Sequence, residues 1–144
     1  KLVIEEGEKV WMAFIDIHVL DFDGNLIDAS GLGAMAALMD ATVPASDYED
    51  LGDDYSLPIE DIVIPTTFTK IKDQILLDPA LEEEKITDAR LTVTINEEGN
   101  IVAMQKGLSG TFQYEDTLEC IKLSKDIGQG LRETVKEAAG YEED

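Results

Sequence analysis

The period of the apolar positions changes once between residues 10 and 41. Residues 10–20, VWMAFIDIHVL, are apolar on both alternating faces and interrupted by Asp16 and His18. That pattern predicts a strand inside a sheet covered on both sides. Asp21-Phe22-Asp23-Gly24-Asn25 then predicts a tight turn. Residues 26–39 follow as a helix of small residues with almost no charge, so it is expected to be buried nearly all round. Gly31 and Gly33 each lower its intrinsic helicity by about 1 kcal/mol relative to alanine. Their presence predicts close approach to a neighbouring element, and Pro44 bounds the helix.

Beyond Pro44, residues 45–58 are polar and acidic, with Gly52 and Pro58, and read as an exposed loop. Residues 62–69 read as a strand in which Pro65 marks an edge or a bulge. A turn at Lys72-Asp73 leads to a second strand over 75–77, so the pair forms a hairpin, and 81–88 is an acidic connection. Residues 89–95 alternate cleanly, with Ala89, Leu91, Val93 and Ile95 facing in and Arg90, Thr92 and Thr94 facing out. A turn at 96–100 returns the chain through 101–105, and 107–110 is a loop. The last element is a helix over 114–139, with Cys120, Leu123, Ile127, Leu131, Val135 and Ala138 on one face. The order strand, helix, four strands, helix gives an α+β fold with helices packed on a mainly antiparallel sheet.

Charge narrows the function. The 144 residues carry 32 acidic and 11 basic side chains, a formal charge of −21. A surface this acidic repels phosphate backbones, which argues against autonomous nucleic-acid binding and suits a basic partner or a salt-rich cytoplasm. One cysteine, Cys120, excludes an internal disulfide and a cysteine metal site and reads as a small core residue. No run approaches the ~18 apolar residues of a membrane span, and no signal peptide is visible. A cytoplasmic location is expected. The opening Lys1-Leu2-Val3-Ile4 enters in mid-pattern, so the chain is expected to be a fragment of a longer protein in which strand 10–20 has lost its sheet neighbours.

Two aspartates at the turn suggest chemistry. Asp21 and Asp23 in VLDFDGNLID resemble the first motif of haloacid-dehalogenase-type phosphatases, whose first aspartate is the nucleophile and second the general acid. The threonine of that motif is Asn25 here. No later strand ends in a phosphate-holding hydroxyl, and Asp53-Asp54 lies in a polar loop. The hairpins also leave no room for a parallel sheet with crossovers. An EF-hand fails sooner, for want of a third acid, a position-12 glutamate and a preceding helix. His18, Trp11, Met35, Met39 and Met104 read as packing or interface residues rather than ligands.

Three ordered regions carry a second resemblance. The first is IDIHVLDFDGNLIDAS followed by AMAAL. The second is 62–78, ending ILLDP. The third runs from Glu82-Glu83-Glu84 through DARL to IVAMQKG. Together they resemble RNase PH-type phosphorolytic exoribonuclease subunits of the archaeal exosome ring, over nearly the whole chain. The resemblance implies an RNase PH-like fold in which 1–44 is the end of a first domain, 45–58 an acidic loop and 59–144 a second-domain region. Active members carry a Gly-Ser/Thr-Arg turn that binds the attacking phosphate, where this chain has Gly24-Asn25-Leu26. They also carry two aspartates six residues apart, matched here by Asp78 and, in altered form, Glu84. The resemblance therefore implies a non-catalytic subunit, with Asp78 and Glu84 as vestigial positions and no cofactor or metal. It implies three partners: a catalytic RNase PH-like subunit in a heterohexameric ring, RNA through the full complex, and the RNA-binding cap proteins of the exosome. No membrane contact is implied. Arg90 reads as an outward strand residue, and an anion at the turn would meet Asp21 and Asp23.

Overall fold

A computed structural model describes residues 2–141. In chain order, β1 (Val3–Glu5) and β2 (Lys9–Val10) form a short hairpin, and α1 (Leu26–Asp40) follows a stretch without regular structure. Next, β3 (Thr42–Val43) pairs with β4 (Tyr55–Ser56), closing the base of the acidic loop. Then come β5 (Ile64–Ile71), β6 (Gln74–Leu77), the short helix α2 (Leu81–Lys85), β7 (Ala89–Ile95), β8 (Ile101–Gly107) and α3 (Tyr114–Ala139). The last four strands make one antiparallel sheet in the order β6-β5-β7-β8. The α+β class, the β5–β6 hairpin, the four strands and both long helices agree with the sequence reading.

The register sets the core. Ile64, Thr66 and Phe68 of β5 pair with Ile95, Val93 and Leu91 of β7, so these six share the face beneath α3. Phe68, Leu91, Val93 and Ile95 pack there with Cys120. Met35, Met39, Ile62, Ile64 and Val135 form a second cluster that joins α1 to α3. Met35 and Met39 are therefore packing residues, as expected.

Several expectations are corrected. Residues 11–20 form no strand: Trp11 donates its N–H to Leu2, Phe14 is 81% exposed and Leu20 97%. An apolar stretch becomes a strand only where a neighbour takes its backbone groups, and the described residues supply none. His18 and Met104 are exposed, which rules out core packing within the described residues and leaves the interface reading untouched. Helix α1 is not buried all round, because Asp28, Met35 and Met39 alone are fully buried. Gly31 does meet a neighbour, since a Cβ there would come 2.5 Å from Pro65 Cγ; Gly33 faces open space.

Pro65 lies in an inner strand rather than at an edge. The N–H of Thr67 points toward Asp28 and not toward β7, so the nitrogen of Pro65 points the same way, beyond the end of β6. No ladder bond is lost. On α3 the buried stripe is Cys120, Ser124, Gly128, Arg132 and Val135, while Leu123 and Ala138 are exposed. Small residues let the helix approach the sheet, and Arg132 donates Nε to Ile62 O (2.9 Å) and Nη2 to Ile95 O (3.2 Å). The large apolar residues mark a neighbouring stripe. Finally, the acidic stretch read as a connection contains α2, and the Glu83 carboxylate in its first turn accepts the N–H of the preceding Ala80 at 2.8 Å.

Candidate functional site

The sharpest polar constellation lies where the turn before α1 meets the turn after β6. Gly24 has φ +102, and a side chain there would run into the backbone of residues 79–81. Only a glycine permits that approach. Leu81 donates its N–H to Asp23 O at 2.9 Å, which locks the two turns together. Asn25 follows in the left-handed region, φ 45, and opens α1.

Asn25 is 6% exposed and joins three elements. Its Nδ2 donates to Asp28 Oδ2 (2.8 Å) on the first turn of α1 and to Asp78 Oδ1 (2.7 Å) after β6. Its backbone N–H donates to Glu84 Oε1 of α2 at 3.1 Å. Asp28 also accepts from Thr67 N (2.7 Å) and Thr67 Oγ1 (2.6 Å), and that hydroxyl lies 2.9 Å from Thr92 Oγ1. Three carboxylates thus surround the start of a 15-residue helix, where backbone N–H groups and the helix dipole favour negative charge. The place a helix offers to a bound anion is taken by side chains of the same chain.

Asp78 and Glu84, singled out in the sequence, are brought together here through Asn25. Asp21 and Asp23 are not. Both are exposed; Asp21 Oδ1 accepts the adjacent Phe22 N–H, and Asp23 contributes its backbone oxygen. The carboxylates that an anion would meet are those of Asp28, Asp78 and Glu84, which corrects the sequence reading. Asp28 was the missed residue. Its signal was present, as the acid in the first turn of a helix whose other charge, Asp40, is its last residue. Among the described residues, no group of three or more His, Cys, Asp or Glu is arranged to hold a metal ion. Asp54, the other candidate acid, accepts the Ser46 N–H at 2.9 Å, a bond that lowers its carboxyl below the ordinary range.

Every strand pair is antiparallel, so the parallel sheet of a haloacid-dehalogenase-type phosphatase is absent from the described residues. That alternative is not supported. Residues 1–44 match domain 1 and residues 61–127 match domain 2 of the 3′ exoribonuclease family, RNase PH type. The chain belongs to this family. It is 52% identical over 133 residues to the exosome complex component Rrp42 of Thermoplasma acidophilum, covering 92% of this chain and 50% of that protein. It is 48% identical to Rrp42 of Archaeoglobus fulgidus, over 95% of this chain and 52% of that one. The chain thus spans about half the length of these curated relatives.

Among solved structures, an archaeal exosome core superposes with a TM-score of 0.88 at 46% identity, over 94% of this chain and 54% of that one. The Archaeoglobus fulgidus exosome with RNA bound to the active site gives 0.87 at 46%, over 92% and 52%. Rice Rrp46 shares the fold alone, at 0.58 and 16%, over 81% and 51%. The RNase PH-like architecture stands on these matches together with the observed sheet.

Proposed function

We propose that this chain is part of a non-catalytic subunit of the archaeal exosome ring. In this reading it supports 3′-to-5′ phosphorolytic RNA degradation by shaping the neighbouring catalytic subunit's active site and the RNA path. The observation that carries the reading is the occupied start of α1, where Glu84 holds the Asn25 N–H and Asn25 bridges Asp28 and Asp78. Phosphorolysis needs inorganic phosphate as nucleophile. A phosphate approaching this helix would meet carboxylates, each costing roughly 4 kcal/mol at about 4 Å near a protein surface. The helix N-terminus returns only about 0.3–1 kcal/mol. Asn25 and Leu26 stand where active relatives set a hydroxyl and an arginine against their own acids, so nothing offsets the repulsion.

Asp78 and Glu84 then serve as structural ties at the positions where active relatives place their acids. The resemblance to Rrp42 and to exosome cores supports the ring, its catalytic partner, and contact with RNA and cap proteins through the assembled complex. The assembly is placed in the cytoplasm in this reading; no helix among the described residues is long and apolar enough to cross a membrane. The subunit needs no cofactor of its own in this account.

The test uses the full-length subunit, inorganic phosphate and a single-stranded RNA. Alone, it is expected to release no nucleoside diphosphate; mixed with the catalytic RNase PH-type subunit, it forms a ring that does. Phosphate-dependent release by the subunit alone, or failure to form a ring, would contradict the reading.

A further inference from the structure

The sheet has one face under α3 and a second that α1 covers in part. On that second face the β7–β8 ladder pairs Thr94 with Ala103, Thr92 with Gln105 and Arg90 with Gly107. A groove of about 570 Å³ runs between the first turns of α1 and β8, lined by Ile27, Pro65, Thr92, Thr94, Ala103 and Gln105. Arg90 is the next residue along this face after Thr92, at the end of the groove. Its guanidinium rests over Gly107: a Cβ on residue 107 would come within 3.2 Å of Nη2 and 3.4 Å of Nε. The bare glycine makes its seat.

Arg90 is half-buried, and its side chain has no hydrogen bond or ion pair among the described residues. That is unusual in a chain with 32 acids. The other arginine, Arg132, spends its donors on Ile62 O and Ile95 O. A guanidinium offers five donors in a rigid fork matched to a carboxylate, and a seated fork without an acceptor is an incomplete contact. Arginine beside an apolar cleft is also characteristic of the residues that dominate protein–protein binding.

We propose that this groove docks a segment of the neighbouring ring subunit, which lays an apolar side chain beside Ile27, Pro65 and Ala103 and sets a carboxylate on Arg90. The identity of the partner rests on the function proposed above; the chemistry rests on the groove. A protein segment is favoured over RNA because the groove lining is neutral and a surface of charge −21 repels a polyanion.

The test is ring assembly of the full-length subunit with its catalytic partner, followed by sedimentation on dilution. Arg90→Ala and Arg90→Glu are expected to raise the dissociation concentration at least tenfold, and Arg90→Lys less. Gln105→Glu, which leaves Arg90 in place and gives it an internal carboxylate, is expected to weaken assembly in the same direction. Melting of the isolated full-length subunit should stay unchanged, because the Arg90 guanidinium has no hydrogen bond or ion pair among the described residues; a clear drop would assign Arg90 to a contact inside the subunit and overturn the inference. Unchanged assembly of Arg90→Glu and Gln105→Glu in a ring that forms normally would overturn this inference alone. Normal assembly with weakened RNA binding would overturn it as well, assigning Arg90 to phosphates. Failure of the wild-type pair to assemble would overturn both this partner and the proposed function.

Discussion

Asp28 is the residue on which the site's geometry depends most. It accepts three hydrogen bonds, from the Asn25 amide and from the amide and hydroxyl of Thr67, at 9% exposure. Removing it strands the buried Thr67 N–H and takes one acceptor from Asn25 Nδ2, which keeps Asp78, and from the Thr67 hydroxyl, which keeps Thr92; a buried donor left unpaired costs about 1–3 kcal/mol. Asp28→Ala is expected to lower stability by about 3 kcal/mol in urea unfolding, and Asp28→Asn by less. Cys120 gives a pH signature. Burial, with the Asp116 and Glu119 carboxylates nearby, pushes its thiol up to about 11 from 9.0. The folded state therefore holds this proton more tightly than the unfolded chain. The resulting stability is fully present below pH 9 and lost as pH rises toward 11. Unfolding free energy should fall across that window more steeply in the wild type than in Cys120→Ala. At the residue scale the family resemblance marked Asp78 and Glu84. It did not mark Asp28 as their link, because a contact to Thr67, 39 positions away, leaves no local signal.

At the scale of elements, close approach decides more than hydrophobicity. Gly31 of α1 meets the ring of Pro65 in β5, with 2.5 Å available to a Cβ. Gly31→Val should force the helix away from the strand and lower the melting temperature, at a cost of about 1–3 kcal/mol typical of overpacking. Gly33→Val, facing open space, should be neutral or slightly stabilising, because valine is a better helix former than glycine. The same principle explains what the pattern could and could not reveal. Strand β7 was legible to the residue, since its apolar and polar positions alternate and its α3 face is buried. The buried stripe of α3 was legible at Cys120 and Val135 but not at Ser124, Gly128 and Arg132, which are small or polar beside a stripe of large apolar residues. Thr92 was read as outward and is 5% exposed, because its hydroxyl pairs with Thr67 beneath α1.

Over the whole molecule two features stand out: a formal charge of −21 and a stretch of exposed apolar residues from Met12 to Phe22. Large exposed apolar patches mark interaction surfaces. The chain by itself is expected to bind an apolar dye and to self-associate in sedimentation. Phe14→Asp with Leu20→Asp should reduce both while leaving the far-ultraviolet circular dichroism unchanged, because neither side chain is buried. The order of elements and the α+β class could be read from the sequence, since hairpins and long helices declare themselves locally. Whether residues 11–20 pair as a strand could not, because pairing depends on a neighbour. The function proposed here comes from the same scale, as a surface made for assembly joined to a site filled by its own carboxylates.

The most direct measurement is phosphorolysis by a ring in which this subunit carries Asp78→Asn and Glu84→Gln, compared with a ring whose catalytic subunit has lost its own acids. Release of nucleoside diphosphates from a 3′ tail should stay within about twofold of wild type in the first ring and vanish in the second. A loss of tenfold or more in the first, with the ring intact, would mean that Asp78 and Glu84 take part in the reaction and would contradict the account.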